Sequence, residues 1–128
     1  MQGLILIRLN QAREALDEAK ALIEADMDRT FVMNNLYYAF YYPMLALLYE
    51  GRVPTSMQSV TLGLFEKKFI ETGVLERRLG EALRRAFELR PQCGNGICEP
   101  ITNDELTSLL SLAGEFIIAA DSYFHQKQ

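Results

Sequence analysis

A stretch of twenty residues without a single charge constrains this chain more than any other feature. It runs from Thr30 to Tyr49 and holds five of the six tyrosines. Read as a helix, it is apolar or aromatic on almost every side, so other segments must cover most of it in a soluble fold. Its length would suffice to cross a bilayer. Two asparagines, the tyrosine cluster, the internal Pro43 and the lack of a basic flank argue against that. We therefore predict a central helix of a bundle, and no membrane span.

The remaining segments have the patterns of amphipathic helices, whose apolar sides can pack against this central helix. Asp28 is expected to cap the central helix, which continues past Pro43 with a kink and stops at Gly51. Capping boxes begin at Thr55 and Thr102. The predicted helices cover about 4–25, 30–50, 55–72, 75–90 and a last long segment after Thr102. The third is expected to bury Val60, Leu64, Phe65 and Phe69.

No segment has a strand pattern with turn chemistry, an internal repeat or a linker composition. At 128 residues, the length suits one domain with one core. We therefore predict an all-α fold, an up-and-down helical bundle of about five helices, as a single domain over residues 1–128.

The fourth predicted helix carries arginines on two sides. Its polar face combines four arginines with two glutamates: Arg77, Arg78, Arg84 and Arg85 with Glu81 and Glu88. That face predicts either i,i+4 ion pairs such as Glu81 with Arg85 and Arg84 with Glu88, or a phosphate-binding patch. Arg90 falls on the opposite side, in line with the apolar residues, where an isolated charge is costly. It either caps the helix end or contacts phosphate in a groove.

Cys93 and Cys98 stand close together in a segment rich in glycine and proline, 91–101. The N-terminal segment lacks a secretion-signal pattern, so we expect a cytoplasmic protein with free thiols; a local disulfide is the alternative. A zinc site needs about four ligands, and the one histidine, His125, is near the other end of the chain. We predict no metal and no cofactor. One histidine, expected at the surface, also leaves no Ser/His/Asp or Cys/His arrangement.

The segment from Tyr37 to Tyr42 (YYAFYY), followed by Ala46-Leu47-Leu48, resembles the second-helix signature of HEPN domains. Thr55, then Phe65 and Phe69, then a helix that ends in an arginine extend the resemblance over nearly the whole chain. It implies a small all-α bundle that forms homodimers. Many HEPN domains are ribonucleases and toxins, often encoded beside a nucleotidyltransferase antitoxin. Their catalytic motif is an arginine followed a few residues later by a histidine, and two copies face each other across a dimer groove.

The sequence departs from this family pattern where catalysis would occur. Arg90 matches the family arginine, but no histidine follows it at the family's spacing of a few residues, and Tyr42 replaces the histidine common in the second helix. RNA cleavage without a metal needs a group that moves the 2′-OH proton near neutral pH. Asn95 cannot titrate, and tyrosine, with an ordinary pKa of about 10, is a poor base. The departures predict that catalysis is lost, leaving Arg90 and Asn95 as weak catalytic candidates.

We therefore expect a non-catalytic, homodimeric binding or regulatory module. Arg90, with Asn95 and Tyr42, would hold a phosphate of RNA or of a nucleotide. A net charge of −4 and a pI near 5.0 count against a dedicated binder of long nucleic acid but allow a local basic groove. The dimer seam would use three tyrosines: Tyr37, Tyr38 and Tyr41. The alternatives are a ribonuclease toxin with an altered site and a structural partner of a nucleotidyltransferase-type protein.

Overall fold

The computed structural model describes residues 3–53, 57–94 and 101–126, with side chains except at 90–94. Within these ranges there are five α-helices and one π-helical turn, and there is no strand. The helices are α1 (Gly3–Glu24), α2 (Arg29–Glu50), α3 (Gln58–Phe65), α4 (Arg77–Gly94) and α5 (Asn103–Gln126), and the π-helical turn, Glu66–Ile70, continues α3. The predicted all-α bundle is confirmed. None of the helices in this part of the chain combines the length and the apolar character needed to span a membrane.

Helix α2 lies at the centre of the bundle, as its uncharged sequence predicts. Its Phe40 packs edge to face against Phe116 of α5, with ring centroids 5.6 Å apart. The ring centroid of its Tyr37 lies 6.2 Å from that of Phe87 of α4. Helix α1 packs along another side. Three helices therefore cover α2, and burial of its apolar side chains contributes to the hydrophobic driving force for folding.

The helix ends follow the predicted capping chemistry at three places. The Asp28 carboxylate accepts a hydrogen bond of 2.8 Å from the backbone N–H of Thr30, which lowers the pKa of Asp28. Gly51 ends α2. The Thr102 hydroxyl accepts a hydrogen bond of 3.0 Å from the backbone N–H of Glu105 at the start of α5. Each cap satisfies backbone groups that a helix end leaves without a partner.

Helix α4 does not end before its proline, so the predicted end at residue 90 is wrong. It continues through Pro91 to Gly94. A proline removes its own amide hydrogen bond, here the one to the carbonyl of Phe87, and its ring crowds that carbonyl. The residues that follow can still complete a last turn. Helix α2 likewise continues past Pro43, as predicted.

Helix α3 begins later than the capping box at Thr55 predicts. Thr55 itself lies outside the described residues, but the first residue of α3 is Gln58, and its N-cap, Met57, makes no side-chain capping bond. Gln58 was expected at the third position of the helix. Its side chain instead accepts a hydrogen bond from the Tyr37 hydroxyl, so a contact between helices replaces the local cap.

Gln58 lies on the side of α3 that faces the bundle, where it contacts Tyr37 of α2. Gln58 shares its stripe with inward residues at spacings of three and four: Thr61, Leu62, Phe65 and, in the π-helical turn, Phe69. Val60 and Leu64 therefore lie on the other side, 51% and 38% exposed. The prediction that these two residues are buried is wrong, while burial of the two phenylalanines is confirmed.

Candidate functional site

Four tyrosines of α2 form one continuous aromatic band. The rings of Tyr37 and Tyr41 stack with centroids 5.4 Å apart, and so do those of Tyr38 and Tyr42. Tyr38 and Tyr41 join the two pairs edge to face at 6.1 Å. Helical geometry produces this pairing because residues i and i+4 lie on one face. Tyr38, Tyr41 and Tyr42 are partly exposed, so the band combines packing inside the chain with surface that another molecule can contact.

Tyr37 is the buried member of the band. Only 1% of its surface is exposed. Its hydroxyl donates a hydrogen bond of 3.0 Å to Gln58. Of the three tyrosines predicted at a dimer seam, it has the least surface to offer a second copy. The seam itself stays a prediction, for which Tyr38 and Tyr41 provide the accessible rings.

The outer face of α2 carries no charge along its length. It presents Phe31 and Tyr49, which are 55% and 47% exposed. Between them lie the exposed Asn34 and the partly exposed Tyr38 and Tyr41. A soluble monomer seldom exposes a long apolar and aromatic helix face without a use for it. This face is the part of α2 that a partner or a second copy could cover.

A groove runs between α1 and α2 on the other side of the tyrosine band. Its volume is about 340 Å³, and it is lined by Gln11, Glu14, Ala15, Glu18, Asn35, Tyr38 and Tyr42. At one end, the Arg8 guanidinium lies over the Tyr42 ring, 5.7 Å from its centroid. The structure thus places Tyr42, a predicted phosphate ligand, among carboxylates. Those charges favour a cation over a phosphate.

The polar face of α4 is neutralised by carboxylates from neighbouring elements. Three pairs join α4 to other helical segments, Arg78 with Glu115, Arg84 with Glu66, and Arg85 with Glu105, and Arg78 also pairs with Glu76 just before the helix. These hydrogen bonds raise the pKa of each arginine and lower the pKa of Glu105 and of Glu115. A solvated face with ion pairs therefore describes these arginines better than a phosphate-binding patch.

The predicted partners of two arginines on this face are wrong. Arg85 was expected to pair with Glu81, and Arg84 with Glu88, along α4. Both arginines instead form forked pairs across elements, and Arg85 reaches the Glu105 carboxylate at 2.9 and 3.1 Å. Two parallel bonds to one carboxylate are stronger than a single contact along a helix, so the tertiary partners prevail.

Arg90 is described only by its place in α4. It lies three residues after Phe87, on the stretch of α4 that packs against α2, and four residues after the fully buried Ala86. Asn95 and Cys98 lie outside the described residues, as does the side chain of Cys93. The predicted roles of Arg90 and Asn95, and the choice between free thiols and a local disulfide for the cysteines, stay predictions.

His125 is a surface residue at the end of α5, as predicted. Its side chain is 63% exposed and lies 3.3 Å from the Asp121 carboxylate. Nδ1 also lies 2.8 Å from the backbone oxygen of Asp121. A rise of about 1.5 Å per residue puts His125 about 33 Å along α5 from Asn103. Since Arg85 pairs near the start of α5, the histidine is remote from the C-terminal half of α4.

Sequence reasoning did not single out the glutamates of the groove. Glu14 and Glu18 read as ordinary polar positions of an amphipathic helix, and Asn35 as one polar residue in an apolar run. The i,i+4 spacing of the two glutamates is the one available signal, since it places both carboxylates on one side of α1. Only the packing of α1 against α2 brings them next to the tyrosines.

Comparison with known proteins gives two informative relatives. The chain is 38% identical over 80 residues to a "UPF0332 protein" of Thermotoga maritima. That match covers 62% of this chain and 60% of the relative, so less than two thirds of the relative's length is represented. The chain is also 24% identical over 119 residues to "Putative toxin MJ0142" of Methanocaldococcus jannaschii, over 93% of this chain and 80% of that protein. No family model matches the sequence.

Proposed function

We propose that this chain is the toxin-type member of a two-protein pair, built as a HEPN-like homodimer. In this proposal it binds a phosphate of RNA or of a nucleotide through Arg90 and does not cleave the bound molecule. The observation that carries the proposal is the similarity to a protein named as a toxin, because it extends over 93% of this chain. The helical bundle and the aromatic α2 agree with the HEPN resemblance in the sequence.

The charges on α4 support Arg90 as the phosphate ligand. Three other arginines of this helix already pair with glutamates, and a paired guanidinium has less charge to offer a new anion. Arg90 follows the register of Leu83 and Ala86, which face the core. A cation at such a position needs a counter-charge, and a bound phosphate would supply one.

The proposed absence of cleavage is supported by the position of the histidine, the residue most often used to transfer a proton near neutral pH. The chain has one histidine. It is exposed and held by Asp121, at the far end of α5. A residue that serves as general base must come within hydrogen-bond reach of the proton it removes. Bound RNA would therefore be retained rather than cut.

A second candidate, a ribonuclease toxin with an altered site, is favoured by the same relative's name. Inducible expression in a bacterial host separates the two. For the first function we expect slowed growth with intact total RNA, and relief by Arg90→Ala. Fragmented RNA that becomes intact with Arg90→Ala would favour the ribonuclease. Normal growth with soluble protein would count against both. Co-expression of a nucleotidyltransferase-type partner should restore growth if the pair exists.

A further inference from the structure

The groove between α1 and α2 has the composition of a site for an organic cation. One wall is formed by the partly exposed rings of Tyr38 and Tyr42, and the other by the carboxylates of Glu14 and Glu18. Its volume of about 340 Å³ is at the lower end of the range for small-molecule sites. The negative faces of the rings and the carboxylates attract positive charge, and both repel phosphate.

The chain itself shows how this groove receives a guanidinium. At one end, Arg8 lies over the Tyr42 ring at 5.7 Å and donates a hydrogen bond of 3.1 Å to the side-chain oxygen of Gln11. Both Tyr42 and Gln11 line the groove. An aromatic face and an acceptor oxygen from the groove thus already bind this functional group. The same groove holds a second combination of this kind, the Tyr38 ring with the carboxylates of Glu14 and Glu18, which are stronger acceptors than an amide oxygen.

Those stronger acceptors are the carboxylates of Glu14 and Glu18, for which the described residues provide no ion-pair partner. Among the residues that the structure describes, neither Glu14 nor Glu18 forms an ion pair, although other carboxylates pair with arginines. They are four residues apart on α1, so their Cβ atoms lie about 5–6 Å apart and both side chains lie on one side of the helix. That spacing suits a planar group with donors on two sides.

We propose that this groove binds an arginine side chain carried by a partner polypeptide. The guanidinium would stack on Tyr38 and donate to Glu14 and Glu18. Arginine suits the groove better than lysine because a guanidinium is planar, stacks on aromatic rings and offers forked donors. The net charge of −4 favours the approach of a basic segment. The proposal concerns a different surface from Arg90 and does not depend on phosphate binding there, and it shares one ring, Tyr38, with the predicted dimer seam.

The test is a titration of the full chain, labelled with ¹⁵N, with the capped peptide Gly-Arg-Gly-Arg-Gly. The side-chain amide of Asn35 is a suitable reporter because it lines the groove and is held by a hydrogen bond of 3.1 Å to the Phe31 carbonyl. We expect saturable shifts there and along the facing sides of α1 and α2. A peptide with citrulline in place of arginine keeps the shape without the charge and should not shift these signals.

The variant Glu14→Gln/Glu18→Gln should weaken binding on the order of tenfold, since each exposed carboxylate contributes modestly. Tyr38→Leu, which keeps both carboxylates, should weaken it about threefold. The matched control is Asp17→Asn/Glu24→Gln, which removes the same charge from exposed positions of α1 outside the groove. It should bind like the unaltered chain, and circular dichroism checks that every variant folds.

Three results would overturn the proposal. The first is equal weakening by the groove pair and the control pair, which would indicate attraction by net charge alone. The second is binding of a matched lysine peptide or of spermidine as tight as that of the arginine peptide, which would indicate an unspecific cation site. The third is an absence of saturable shifts with the arginine peptide in the unaltered, folded chain.

Discussion

The Tyr37 hydroxyl donates a hydrogen bond of 3.0 Å to the Gln58 side chain and so connects the centre of α2 to the first residue of α3. This bond joins a ring that is 1% exposed to a helix whose local sequence provides no side-chain cap. The same side of α3 carries the buried Leu62 and Phe65, whereas Val60 and Leu64 lie exposed on the other side.

Tyr37→Phe tests this connection. The substitution keeps the ring and removes the donor, so we expect the free energy of unfolding to fall by about 0.5–1.5 kcal/mol. Tyr37→Ala would also leave a cavity and cost about 3–5 kcal/mol. Chemical denaturation measures both. Tyr49→Phe is the control, because Tyr49 is 47% exposed and its replacement should change little. No loss in Tyr37→Phe would mean that the bond does not stabilise the fold.

Two glycines in helices predict opposite responses to alanine. A Cβ at Gly80 would lie 2.8 Å from a side-chain carbon of Ile70, whereas one at Gly114 would lie 3.7 Å from Leu16. Alanine favours a helix over glycine by about 1 kcal/mol. Gly114→Ala should therefore stabilise by up to about 1 kcal/mol, while Gly80→Ala should destabilise by about 1–3 kcal/mol through overpacking. Thermal unfolding checks both, and a higher Tm for Gly80→Ala would contradict the close packing of α4 on the π-helical turn.

Local sequence patterns were sufficient to predict the helix caps and the buried faces of the long helices. The Asp28 cap and the Thr102 cap depend on residues a few positions apart, and both form as predicted, although the Glu105 carboxylate binds Arg85 instead of closing the capping box. The apolar side of α5 follows from a regular period, and its residues from Leu106 to Phe124 are buried. Such features need no knowledge of which helix packs where.

Features decided by packing could not be predicted. Arg84 and Arg85 have glutamates at suitable spacing in their own helix, yet Glu66 and Glu105 from other elements bind them. The groove beside Tyr38 is a similar case, since its two walls come from different helices. The sequence shows which residues can interact, but the distances between elements decide which pairs form.

Arg85 makes the stability of the bundle depend on pH through Glu105. The hydrogen bonds from Arg85 lower the pKa of Glu105 from its ordinary 4.5. A carboxyl group with a lowered pKa stabilises the fold at pH values above 4.5. That contribution is lost as the pH falls through the lowered pKa. Since the pair is partly exposed, we expect it to contribute less than about 1 kcal/mol.

Glu105→Gln isolates this contribution, because glutamine keeps the size of the side chain and removes its charge from the pair with Arg85. The variant should be less stable than the unaltered chain at pH 7, and the difference should shrink towards pH 3. Asp104→Asn removes a charge from the same helix start, where no ion pair involves Asp104 among the described residues. It should show the weaker effect of the helix dipole alone. Equal pH profiles for the two variants would argue against a role for Arg85.

The predicted dimer can be tested with a charge on the uncharged face of α2. Asn34 is exposed on that face, one turn before Tyr38, so Asn34→Lys adds a charge without removing a ring. We expect a dimer of the unaltered chain in sedimentation velocity and a shift towards monomer in the variant. Ser111→Lys, on the exposed side of α5, should leave the dimer intact. A monomeric unaltered chain at micromolar concentration would contradict the seam.

The most direct test of the account is binding of a defined, fluorescent single-stranded RNA, with the length of the RNA checked after each titration. The unaltered chain should bind saturably and leave the RNA intact. Arg90→Ala should weaken binding on the order of tenfold. Arg77→Ala, which removes the same charge from an exposed position at the start of α4, should bind almost normally. Cleavage by the unaltered chain, or equal binding by Arg90→Ala, would contradict the account.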